Sequence, residues 1–214
     1  MAVTKHVNYF ALQKACEKPG CPLCTLINER ITRYIDGMLF EHISDRTFRA
    51  QYREAGGFCL DHSKILLSYR DGLAVAILGM GTLDDYLLDF KKKKMRKFKQ
   101  ICPACAEKQR IEKEFLTFIA ESHKEDAASD EEMRKFITQS DGLCVPHYAL
   151  MVKLTKVPKW ISSFQEEKFT ALRERTARFI DYSAWGKQEQ FASLPDKDKI
   201  VWKEIADALR GQVE

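Results

Sequence analysis

The chain has 214 residues, is 45% hydrophobic and 31% charged, and carries a formal net charge of +4, which describes a soluble globular protein of one domain or two small ones. Its longest apolar stretch, Leu73 to Met80, is interrupted by Gly79 and falls far short of the ~20 residues that span a bilayer, so no membrane association is expected. The opening residues, MAVTKHVNYF, lack the apolar region of a secretory signal, and seven cysteines in the resulting cytoplasmic, reducing setting point to metal ligands or redox thiols rather than disulfides.

The first cysteine, Cys16, stands alone, and the pair Cys21 and Cys24 follows as CPLC. From Leu23 to Leu39 the apolar residues Leu23, Ile27, Ile31, Tyr34, Ile35 and Met38 recur at helical spacing. Pro22 suits the first helical position, where a missing amide costs no hydrogen bond. Ser44-Asp45 supplies an N-cap for a second helix, and Gly56-Gly57 provides residues that can stop it in a left-handed conformation. Cys59-Leu60-Asp61-His62 then opens a third apolar run, and a longer helix is expected over about Leu73 to Phe90.

The row from Lys91 to Lys99 reads KKKKMRKFK and holds seven positive residues: Lys91, Lys92, Lys93, Lys94, Arg96, Lys97 and Lys99. The remainder of the chain is slightly acidic, so positive potential is local; the run is either a solvated helical extension or a contact for nucleic acid, with Phe98 available to stack on a base.

Beyond it the first pattern returns. CPAC at Cys102 and Cys105 precedes a helical stripe of Ile111, Phe115, Phe118 and Ile119, and Ser129-Asp130 would cap a second helix that Gly142 ends. Cys144-Val145-Pro146-His147 follows. Each copy is CPxC followed by GxCxxH, offset by 81 residues at CPxC and 85 at CxxH, with the extra residues in the polar stretch after His123. Apolar positions keep the same register, Tyr34 with Phe115 and Tyr52 with Ile137, so the chain reads as an internal duplication. Helices over Lys159 to Tyr182 and Asp196 to Leu209 complete an all-α fold of two duplicated units and a C-terminal helical extension. The corresponding segments are 1–90, a basic connector 91–101, 102–156 and 157–214.

Two short-spaced pairs supply the four thiolate and imidazole donors of a tetrahedral zinc site, and helix amino ends favour the thiolates. Loop closure favours pairing within each copy by only ~1 kcal/mol. On that basis the expected sites are Cys21, Cys24, Cys59 and His62, and Cys102, Cys105, Cys144 and His147, holding two zinc ions, with an iron-sulfur cluster as the alternative. Each Zn(Cys)3His site carries minus one, which lowers the formal balance from +4 to about +2. Cys16 and His6 have no counterpart; His42 matches His123, both at helix ends.

Filled sites of this kind leave no position for a catalytic water, so enzymatic activity is not expected. His123-Lys124-Glu125 matches half of a zinc-deaminase signature, but neither CPxC follows a proline or lies downstream of it. No βαβ pattern accompanies the CPxC pairs as in thioredoxin-like dithiols, and Gly79-Met80-Gly81-Thr82 lacks the third glycine and preceding strand of a nucleotide loop.

CPLC with GFCLDH, and CPAC with GLCVPH, resemble a prokaryotic family of unknown function whose members carry CPxC and GFCxxH elements in helical chains. The second copy departs from it with Leu143 in place of phenylalanine. The resemblance implies ligand positions and no activity. The expected function is that of a metal-binding helical module that binds or scaffolds a protein partner, with nucleic acid as a further candidate; iron-sulfur electron transfer or cluster handling is the rival.

Overall fold

In the computed structural model, which describes residues 7–98, 100–121 and 127–211, every regular element among those residues is helical. The order is α1 (Val7–Cys16), α2 (Pro22–Gly37), a π-helical turn (Met38–His42), α3 (Arg46–Glu54), α4 (Leu60–Ser68), α5 (Gly72–Lys91) and α6 (Pro103–Glu121). There follow α7 (Ala127–Gln139), α8 (Val145–Leu154), α9 (Lys159–Tyr182), α10 (Gln188–Ser193), α11 (Asp196–Lys199) and α12 (Val201–Arg210).

Local chemistry places the boundaries. Pro22 and Pro103 open α2 and α6, while Cys59 and Cys144 are the extended residues immediately before α4 and α8. The Asp45 carboxylate accepts from the Thr47 amide at 2.7 Å at the start of α3. Gly57, at φ +97°, ends that segment, with its amide donating to the Tyr52 carbonyl at 2.8 Å. Ser129 and Asp130, expected just before the corresponding helix, instead lie within α7. The expected C-terminal helix is two, α11 and α12, separated at Ile200.

The chain forms two compact units, 1–26 with 112–214, and 27–111. These do not coincide with the segments 1–90, 91–101, 102–156 and 157–214, because the unit boundaries fall inside α2 and α6. In the first unit, Leu12, Phe115, Leu116, Met151, Ile161 and Val201 are buried. Arg175 on α9 ties down α11 and α12, donating from Nε to Asp198 at 2.6 Å and from Nη1 to Glu204 at 2.6 Å.

In the second unit the core holds Ile31, Ile35, Met38, Phe48, Leu66, Leu78 and Ile111. The Gly79–Thr82 stretch is uninterrupted helix within α5, not a loop. Gly81 has a packing role, since a Cβ there would lie 3.1 Å from Arg53 Cδ. Arg53 in turn forms a bidentate pair with Asp85, at 2.9 and 2.6 Å.

Candidate metal centres

All eight expected ligand residues gather into two clusters, but the pairing is crossed rather than local: Cys21, Cys24, Cys144 and His147 in one, Cys59, His62, Cys102 and Cys105 in the other. Helix length explains the correction. From Cys24 the remainder of α2 carries the chain ~20 Å, whereas the nine residues of α3 span only ~14 Å, too short a helix to retrace that distance. The ~1 kcal/mol entropic preference for local closure is too small to oppose this geometry.

The donor atoms have the spacing of a single ion's coordination shell. A tetrahedral ion with sulfur at ~2.3 Å and nitrogen at ~2.0 Å sets sulfur–sulfur edges of ~3.8 Å and nitrogen–sulfur edges of ~3.5 Å. In the first centre Cys24 Sγ lies 3.8 Å from Cys144 Sγ, and His147 Nδ1 lies 3.4, 3.5 and 3.2 Å from the sulfurs of Cys21, Cys24 and Cys144. In the second, Cys59 and Cys105 sulfurs are 3.7 Å apart, and His62 Nδ1 lies 3.1, 3.4 and 3.5 Å from Cys59, Cys102 and Cys105. Both centres therefore present four converging donors able to hold a metal ion.

The grouped thiols of both centres suit a cation. Burial opposes a charged His147, yet its hydrogen bonds with Cys144, Cys21, Cys24 and Glu112 raise its pKa far above the imidazole range. A dication would meet that demand for positive charge and leave the ring neutral, as ligation requires. In the second centre burial and then the neighbouring sulfurs push the Cys105 thiol up to about 12. Cys59 moves the other way: burial raises its pKa, but hydrogen bonds from the His62 and Asp61 backbone and from the Cys105 and Cys102 thiols outweigh burial and lower it. Adjacent sulfurs cannot all ionise easily without a positive charge among them. His62 lies below its ordinary value, chiefly through burial, and is ready as a neutral donor.

The surroundings of the centres differ. All four residues of the first are buried, whereas Cys59 and Cys105 in the second are half-buried. In the first, Gln165 clamps the backbone beside Cys144: its Oε1 accepts from the Leu143 amide at 2.9 Å and its Nε2 donates to the Leu143 carbonyl at 2.9 Å. Gly211, just past α12 and at φ +87°, closes over the same centre, and a Cβ there would stand 3.3 Å from Cys24 Sγ. Glu112 lies 3.4 Å from His147 Nε2. Sequence reasoning missed all three. Gln165 alone left a signal, as a polar residue in the apolar stripe of Ile161 and Phe164.

Cys16 is buried outside both clusters. His6, His123 and Lys99 lie outside the described residues, as does the His42 side chain. Within the basic run, Lys91, Lys92, Lys93, Lys94 and Lys97 are exposed. Arg96 is committed to the fold, donating from Nε to Asp89 at 2.6 Å and approaching Asp85 at 3.1 Å. Phe98 packs over Gly56, where a Cβ would clash with its ring, and meets Tyr86 edge-on.

Comparison with known proteins agrees with the resemblance to an uncharacterised family. Residues 3–78 match DUF6062, a family of unknown function. The chain is also 32% identical over 101 residues, 43% of its own length, to the "Uncharacterized 23.9 kDa protein in xynA 3'region" of Caldicellulosiruptor sp. (strain Rt8B.4). It spans 47% of that relative. No solved structure matches. Among the described residues no helix is long and apolar enough to cross a membrane.

Proposed function

We propose that the chain is a cytoplasmic helical scaffold built on an internal duplication, held by two structural zinc ions and serving to bind a protein partner. The observation that carries this reading is the single-ion spacing of the donors, 3.7 to 3.8 Å between sulfurs in both centres. A multi-iron cluster would separate its cysteines further, because each thiolate points outward to a different iron. Four protein donors per ion leave no position for a reacting water, which favours structure over catalysis. The duplication favours the same view, since both copies contribute a CPxC to one centre and a CxxH to the other.

Metal analysis and an absorbance spectrum of protein purified without air test the proposal. Two zinc ions per chain and no visible absorption are expected. Brown, oxygen-sensitive protein containing iron would replace it with the cluster-handling alternative, and two reversible dithiols without metal would replace it with a redox role.

Nucleic-acid association is a narrower variant, carried by the five exposed lysines Lys91 to Lys94 and Lys97. It requires a salt-dependent affinity for DNA or RNA, and absence of binding at low salt eliminates it.

A further inference from the structure

Helix α5 is apolar on two opposite faces. One is spent on its own unit: Ala74, Leu78 and Thr82 are buried, and Asp85 is held by Arg53. The other carries Leu73, Ala76, Met80, Leu83, Leu87 and Phe90, all exposed, with the five large residues 73, 65, 63, 55 and 59% open to solvent. Their separations alternate three, four, three, four, three, which is the 3.5-residue period of a coiled-coil seam. A helix apolar on both faces is one that is covered on both.

We infer that this face of α5 is a dimerisation surface, on which the same helix of a second copy packs antiparallel to form a two-stranded coiled coil.

The area is sufficient. At ~200 Å² for each large apolar residue, the exposed fractions amount to roughly 600 Å² per copy and roughly 1,200 Å² in the pair, the lower end for a specific stable interface.

The order of residues selects the antiparallel direction. The seam is symmetric about its centre, so position 73 of one copy meets 90 of the other, 76 meets 87, and 80 meets 83. Every layer then contains at least one large residue, and the small Ala76 faces a leucine. In a parallel pair the layers would be uneven, with alanine on alanine at one level and phenylalanine on phenylalanine at another.

Charge points the same way. Lys91 to Lys94 follow the seam at its carboxyl end, and a parallel pair would set the eight lysines side by side, whereas the antiparallel pair separates them and opposes the helix dipoles favourably. Near each end Lys91 would also lie beside Asp71 of the second copy, an exposed residue of opposite sign.

Sedimentation of the full metal-loaded chain at micromolar concentration is the test. The expected mass is twice 24.8 kDa, and Met80→Glu with Leu83→Glu should halve it without changing metal content or helicity. A second variant reads direction. Met80→Glu combined with Leu83→Lys sets opposite charges face to face in the antiparallel pair and like charges face to face in the parallel one, so it should remain dimeric. A monomeric wild-type chain, or a dimer indifferent to Met80→Glu with Leu83→Glu, overturns the inference. Loss of the dimer in the opposite-charge variant overturns the antiparallel arrangement.

Discussion

Glu112 Oε1 lies 3.4 Å from Nε2 of His147, on the side of the ring opposite the three sulfurs that surround Nδ1. A carboxylate in that place selects the tautomer with a proton on Nε2, leaves Nδ1 as the donor and strengthens its basicity. Ile31 stands at the same distance from Cys21 as Glu112 does from Cys102, and its side chain can accept no hydrogen bond.

Glu112→Ala should therefore weaken metal binding at the first centre by ~10–100-fold and leave the second unchanged. Chelator competition on the two-metal protein would show one of two release steps moving.

Paired cysteine substitutions distinguish crossed from local centres. Cys24→Ser with Cys144→Ser should abolish one metal, because both residues belong to the same cluster of donors. Cys24→Ser with Cys59→Ser should abolish both. Metal-to-protein ratios decide it, and local pairing requires the reverse pattern. The first double variant should also loosen preferentially the unit formed by 1–26 and 112–214.

Gly211→Val should perturb the first centre alone. The substitution places a branched side chain at φ +87° and against Cys24 Sγ. The expected result is faster metal loss from the first centre with unchanged release from the second, followed with a chromogenic chelator.

Cys16→Ser should leave metal content unchanged, because Cys16 belongs to neither cluster. Burial pushes its thiol up to about 12 from the ordinary 9.0. The folded state therefore retains a proton that the unfolded state releases between those values. Its contribution to stability is complete below pH ~9 and declines as pH rises toward 12, by at most ~1.4 kcal/mol per pH unit. Denaturant titrations should show a shallower alkaline loss in Cys16→Ala than in wild type.

Much of the local structure was legible from residue order. Pro22 and Pro103 mark helix starts, and Asp45 marks a cap, because each acts on backbone groups within a few residues of itself. The same reasoning put the start of α7 too late, since Ser129 and Asp130 lie within it. Neither Glu112 nor Gly211 announced itself, because each becomes significant only through a distant contact, with His147 and with Cys24 respectively. The charge run misled in part: Arg96 looks like its lysine neighbours in the row but is consumed by Asp85 and Asp89.

Short spacing alone identified the eight converging donors and placed them at helix starts, because two ligands three residues apart must reach the same point in space. Which CPxC meets which CxxH was decided only in three dimensions. Chain entropy separates the alternatives by only ~1 kcal/mol, too little to outweigh the packing that brings Cys144 and His147 to Cys21 and Cys24, and Cys59 and His62 to Cys102 and Cys105.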